Sequence, residues 1–227
     1  MIFKQVFDDK SSTYTYFIAS AKGREALIID PVIDNVENYI NILNKLDLKL
    51  VKVVDTHIHA DHVTGASKLK SETDCITVMG ENSSAETVDL KIKDGEFIKI
   101  DDLEIRAIYT PGHTSDSYSF LMNNLLFSGD TLLINGSGRT DFQNGNSKDA
   151  YNSIFNKLLK LPEDTFLYPG HDYNGKKVST LGNEKKFNPR LQVKSADEYA
   201  EIMSKLNLSK PELMDCNISR NLKLGAN

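Results

Sequence analysis

The run Thr56-His57-Ile58-His59-Ala60-Asp61-His62 constrains this chain more than any other segment. Three imidazoles and a carboxylate packed so closely are costly to bury unless a cation offsets them, so the fold must bring this segment to a metal. All five histidines of the 227 residues share in the pattern, because the other two, His113 and His171, each follow a Pro-Gly turn. Imidazole is the commonest protein ligand for metals, and none is left over for the general surface.

The segments around the histidines explain how such a site is assembled. Residues 50–55 are rich in Val and Leu and read as a buried strand, which puts the cluster at a strand's carboxyl end, where α/β sheets place their ligands. His57 and His59 share a side if the chain stays extended. Asp61 and His62 point elsewhere as it enters a helix-like stretch over 62–70, so one loop feeds two adjacent metal positions. Three further segments repeat the design: 104–109 runs into Thr-Pro-Gly-His113, 124–127 into Ser-Gly-Asp130, and 165–168 into Pro-Gly-His171. Each is a short strand, a glycine turn and a candidate ligand, and four strand ends converging on one pocket use them all.

The remaining pattern predicts an amino-terminal hairpin over 13–18 and 25–29, and strands over 75–79, 97–100 and 118–121. Helices are expected over 36–46, 149–161 and 196–206. Tyr151, Ile154, Phe155, Leu158 and Leu159 fall on one helical face and read as core. With 40% apolar residues and mixed charge, the chain is expected to form one globular domain over 1–227, with a core over about 1–175 and a carboxyl-terminal extension over about 176–227. A formal net charge of −5, with basic residues scattered among acidic ones, argues against nucleic acid as the main partner. No apolar run is long enough to span a bilayer, and the first residues lack the pattern of a signal peptide, so a cytoplasmic location is expected. Cys75 and Cys216 sit in no C-x-x-C arrangement and read as free thiols.

At the histidine cluster the chain resembles the metallo-β-lactamase superfamily, whose H-x-H-x-D-H signature appears as His57-Ile-His59-Ala-Asp61-His62, with His113, Asp130 and His171 following in order. The resemblance implies an α/β fold, the αββα four-layer sandwich of two mixed β-sheets flanked by helices, with the metal at one edge. It leaves the reaction open, because hydrolases and oxidoreductases share this scaffold. In the dinuclear hydrolases one metal takes the positions of His57, His59 and His113, a second takes those of Asp61, His62 and His171, and the position of Asp130 bridges. The competing arrangement needs only His57, His113 and Asp130 around one Fe(II), with His59, Asp61, His62 and His171 orienting ligands or holding waters.

The flanking segments Gly138-Arg-Thr-Asp-Phe-Gln143, Tyr168-Pro-Gly-His-Asp-Tyr173 and Asn188-Pro-Arg-Leu191 look like the persulfide dioxygenase family and extend the resemblance over nearly the whole chain. What this implies is an enzyme with one Fe(II) per chain that oxidises glutathione persulfide with dioxygen and water to sulfite and glutathione. The alternative is a glyoxalase II-type hydroxyacylglutathione hydrolase with two Zn, Fe or Mn ions. A glutathione substrate brings two carboxylates, for which Arg190, Tyr173 and Lys177 are the nominated contacts; Arg139 is expected to pair with Asp172 and brace the pocket floor. The resemblance leaves room for a homodimer and for a separate rhodanese-type sulfur transferase as partners.

Overall fold

The structure, a computed structural model, describes residues 1–226. Strands β1 (Ile2–Asp8), β2 (Thr13–Ala19), β3 (Glu25–Ile29), β4 (Lys49–Val54), β5 (Ile76–Gly80) and β6 (Leu90–Ile92) form one six-stranded sheet in that order. The first two pairings are antiparallel and the last three parallel, so the sheet is mixed. The second sheet is built from β7 (Phe97–Ile100), β8 (Leu103–Tyr109), β9 (Tyr118–Met122), β10 (Leu125–Gly129), β13 (Phe166–Pro169) and β14 (Ser179–Thr180), in the order β14-β13-β10-β9-β8-β7. A two-stranded ribbon of β11 (Leu132–Leu133) and β12 (Gly136–Ser137) lies between β10 and β13 in the chain. Helices are α1 (Val36–Lys45), α2 (Ala66–Thr73), α3 (Ser147–Tyr151), α4 (Leu181–Phe187), α5 (Ala196–Ser204) and α6 (Met214–Asn221).

Side-chain alternation sorts the core into three layers. On β2, Tyr14, Tyr16 and Ile18 join Leu27, Val54, Ile105, Phe120 and Phe127 between the sheets, while Phe17 and Ala19 face the other way. That outer face packs on Val36, Tyr39 and Leu43 of α1 and Ala66 and Leu69 of α2. Leu126 and Ile108 point out of the second sheet onto Ile154, Leu158, Leu181, Tyr199 and Met203. A strand buried on both faces cannot alternate apolar with polar, which is why all seven residues of β2 are buried. Three apolar layers between two helix layers and two sheets make the expected four-layer αββα sandwich.

Two predicted helices differ from expectation. The stretch over 62–70 becomes helical only at Ala66, because tertiary bonds hold 61–65 open: Gly65 N–H donates to the Pro31 carbonyl at 2.7 Å and Ile33 N–H to the Val63 carbonyl at 2.9 Å. The segment predicted over 149–161 starts earlier, where Asn146 caps α3 by accepting from the Lys148 and Asp149 N–H groups. It then widens into a π turn over Asn152–Lys157 and tightens into a 3₁₀ turn over Leu158–Lys160. Its apolar face is core, as read: Ile154 and Leu158 are fully buried. Strand β1 and helices α4 and α6 were not anticipated.

Candidate metal centre

The four predicted strand ends do converge. Loops leaving β4, β8, β10 and β13 deliver His57, His113, Asp130 and His171 to one edge of the sandwich. One ligand atom each from His57, His113 and Asp130 lies within 4.8 Å of the others. Their neighbours decide which atoms are offered. The single hydroxyl proton of Thr56 goes to Asp30 at 2.9 Å, so the Thr56 oxygen accepts from His57 Nδ1 at 2.9 Å and leaves Nε2 with its lone pair. His113 Nδ1 donates to the Arg139 carbonyl at 2.8 Å, which fixes the same tautomer and leaves Nε2 facing Asp130 Oδ2 at 3.6 Å. Burial, reinforced by His59 and His113, holds the His57 ring well below the ordinary histidine range, so it is neutral.

His171 is held differently. Its Nδ1 meets Asp130 Oδ1 at 2.7 Å and its Nε2 meets Asp61 Oδ2 at 2.9 Å. Burial opposes charge on this ring, yet the two carboxylates raise it well above the usual range, and it stands between them as an imidazolium. Burial likewise works against Asp130 and Asp61, but His171 first, and then His113 and His57 for Asp130 and His62 for Asp61, hold both carboxyls below the ordinary range.

His57 and His59 do not share a partner set, although their ring centroids are 4.2 Å apart. The turn in the loop groups His59 with Asp61 and His62 in a second compact set. His59 Nε2 faces Asp30 at 3.2 Å and Asp55 at 3.8 Å, and against the effect of burial these carboxylates push the ring up to about 9. Burial in turn pushes the Asp55 carboxyl up to about 7. His59 Nδ1 and His62 Nε2 are buried ring atoms without a hydrogen-bond partner. A donor set of imidazole and carboxylate with its outer hydrogen bonds already made fits a divalent ion, and so do the two unpartnered ring nitrogens.

The centre opens into a cavity of about 940 Å³ whose lining includes Arg190, Tyr173, Arg139, Phe142, Leu208 and Leu213. Arg190 donates from Nη1 to the Ser137 carbonyl, and Tyr173 stands at the mouth with its ring stacked 6.1 Å from His171. Lys177 is exposed and does not line this cavity; its carbonyl accepts from Gln5 Nε2 at 2.8 Å. Arg139 does not pair with Asp172. It makes two bonds to Asp141, at 2.7 and 2.8 Å, lies over the Phe142 ring, and donates to the carbonyls of Leu208 and Ser209, tying the carboxyl-terminal segment over the cavity. Asp172 instead accepts from the N–H groups of Asn174 and Lys176, since those donors lie within its own turn.

Sequence reasoning missed the residues that hold the metal loop. Asn221 of α6 donates to the carbonyls of His59 and His62, both at 2.8 Å, and accepts from Thr64 N–H, while Asn217 donates to the Ala60 carbonyl. Asp30, at φ 50°, accepts from Thr56 N–H at 2.7 Å. The only signal for Asp30 was its place before Pro31; for the asparagines there was none.

A family model described as the metallo-beta-lactamase superfamily matches residues 8–89 and 82–171. The persulfide dioxygenase ETHE1 of Homo sapiens, named mitochondrial, is 40% identical over 228 residues, covering 99% of this chain and 89% of that protein. A crystal structure of ETHE1 from Myxococcus xanthus superimposes with a TM-score of 0.97 at 42% identity, each chain covered in full. The hydroxyacylglutathione hydrolase of Dictyostelium discoideum is 34% identical, over 73% of this chain and 64% of that one. With both the superfamily core and the carboxyl-terminal extension matched, the chain belongs to the metallo-beta-lactamase superfamily and, within it, to the persulfide dioxygenase family.

Proposed function

We propose that this chain is a persulfide dioxygenase with one ferrous ion held by His57, His113 and Asp130, acting on glutathione persulfide. The overall reaction takes persulfide, dioxygen and water to sulfite and the free thiol, both oxygens of dioxygen and one of water ending on the terminal sulfur. A ferrous ion held by these residues would supply a site where a soft sulfur donor and dioxygen can meet, the four electrons that reduce dioxygen coming from the terminal sulfur itself. The protein's residues do the rest. Thr56 and the Arg139 carbonyl hold the two imidazoles in the coordinating tautomer, and His171 braces the second oxygen of Asp130. Leu208, Leu213 and Phe142 contribute apolar surface to the cavity lining.

The observation that carries the one-metal reading is the engagement of His171 by a carboxylate at each ring nitrogen, while the three proposed ligands keep free donor atoms. A dinuclear hydroxyacylglutathione hydrolase is the second reading, favoured by the unpartnered His59 Nδ1 and His62 Nε2. Replacing His62 by alanine separates them. Metal analysis of His62→Ala is expected to return about one iron per chain, as for the unmodified protein; loss of half of a two-metal complement would support the hydrolase.

Arg190 is the proposed partner of a substrate carboxylate, with Tyr173 beside the same mouth. A charge-assisted hydrogen bond of this kind contributes about 1.5–3 kcal/mol, so Arg190→Ala is expected to raise KM roughly 10- to 100-fold with a smaller effect on kcat. Steady-state dioxygen uptake over a range of persulfide concentrations checks it. No helix among the described residues is long and apolar enough to cross a membrane. Both cysteines are free thiols, which suits a reducing compartment such as the cytoplasm.

A further inference from the structure

The Thr13 hydroxyl occupies an unusual place. It lies 3.0 Å from His171 Nε2, 3.3 Å from His62 Nδ1 and 3.4 Å from Asp61 Oδ2, and the residue is 1% exposed. These are three of the side chains on which a second ion would draw. On its other side the hydroxyl meets Ser11 Oγ at 2.7 Å, and Ser11 in turn donates to Asp8 Oδ2 at 2.7 Å. Because the Ser11 proton is directed to a carboxylate, the Ser11 oxygen accepts from Thr13, and the Thr13 oxygen is left as a second acceptor for the two ring N–H groups, which also meet Asp61 Oδ2 at 2.9 Å from His171 and 3.0 Å from His62.

The backbone prevents Thr13 from swinging away. Thr13 forms a bridge with His171, Tyr14 N–H donates to the Gly170 carbonyl at 2.8 Å, and Ser12 stands at φ 58° just before the strand begins. The hydroxyl is therefore a built part of the centre, fixed on the loop that carries His171.

We propose that Thr13 keeps the centre mononuclear. Resting on the one-iron reading above, it acts as a positioning residue that closes the hydrogen-bonded set of His171, His62 and Asp61, sharing the two ring N–H groups with Asp61 Oδ2 and filling the space beside them. An ion placed there would have to break that hydrogen-bonded set and displace the hydroxyl. Without the hydroxyl, Asp61, His62 and His171 gain freedom to turn toward a shared point, and the unpartnered His59 Nδ1 and His62 Nε2 lie close by as further donors.

The test is metal stoichiometry, measured by mass spectrometry after equilibration with excess Mn(II) or Zn(II) and desalting. Thr13→Val keeps the volume and deletes the hydroxyl; Thr13→Ala deletes both; Thr13→Ser restores the hydroxyl. The expected result is about one ion per chain in the unmodified protein and in Thr13→Ser, rising toward two in Thr13→Ala and, less fully, in Thr13→Val. Exchange-coupled Mn(II) signals in the electron paramagnetic resonance spectrum of the Mn(II)-loaded Ala variant would accompany the rise. Unmodified protein at one ion, with folded Ala and Val variants also at one, would overturn the role of Thr13 and leave the one-iron reading intact. Unmodified protein that already holds two ions would overturn both.

Discussion

Asp130→Ala is expected to lose its iron and all dioxygen uptake. One oxygen of Asp130 is the proposed ligand and the other is bound by His171 at 2.7 Å, so the substitution removes a metal contact and the anion that holds an imidazolium in a buried site. Removing one partner of a buried pair costs about 3–5 kcal/mol, so the melting temperature should fall as well. Asp130→Asn keeps the shape and removes the charge; it should stay folded more fully and still bind iron far more weakly, because a neutral amide is a poor ligand for a hard divalent ion. Loss of an outer hydrogen-bond partner already costs metal sites about 10- to 100-fold in affinity, and loss of a direct ligand should cost more. Iron content after desalting, read beside thermal unfolding, separates loss of metal from loss of fold. A folded Asp130→Ala protein with its full iron would remove Asp130 from the ligand set.

Gly138→Ala is expected to be nearly as damaging without touching a ligand. A Cβ at this position would lie 2.1 Å from the Asp130 carbonyl oxygen and 2.8 Å from Cγ and Nδ1 of His113. The first contact is with backbone, which cannot rotate out of the way, so the loop after Asp130 or the His113 ring must shift. Gly138 N–H also donates to that same carbonyl at 2.8 Å, so a shift loosens the turn that presents Asp130. Overpacking of this kind costs about 1–3 kcal/mol of stability. Displacing two ligands should lower iron affinity by at least the roughly 10- to 100-fold of an outer-contact loss. Gly136→Ala is the control, since its Cβ would meet only the Leu133 Cβ at 3.8 Å. Competition for iron against a chelator, run on both variants, should set Gly138→Ala apart from Gly136→Ala; equal affinities would show that the close approach at Gly138 does not matter.

Much of this centre was legible because its chemistry is concentrated in short runs. The order strand, glycine turn, ligand occurs three times, each instance naming its own residue, and a fourth strand runs straight into the histidine cluster. The layers were implied by the resemblance to the superfamily, and the burial of β2 and β3 on both faces agrees with their apolar and aromatic runs. What escaped was set by contacts distant in sequence. His59 stays beside His57, with ring centroids 4.2 Å apart, but its Nε2 is held by Asp30 and Asp55, and nothing in the H-x-H spacing records those partners. Helix α6 is short and polar, with a left-handed Leu213 at its start, and its function is to hold the metal loop through Asn217 and Asn221. A side-chain amide that binds loop carbonyls from across the molecule leaves no local pattern. Arg139 was paired with the wrong carboxylate for a related reason: proximity of Asp172 to His171 in sequence said less than the two-residue reach to Asp141.

The account depends on one reaction at one ferrous ion. The most direct test is an oxygen-electrode measurement, with sulfite detection, on protein carrying about one ferrous ion per chain and supplied with glutathione persulfide. The account predicts prompt dioxygen consumption with one sulfite formed per dioxygen. No uptake from iron-loaded protein, together with hydrolysis of S-lactoylglutathione by the same chain carrying two ions, would contradict it.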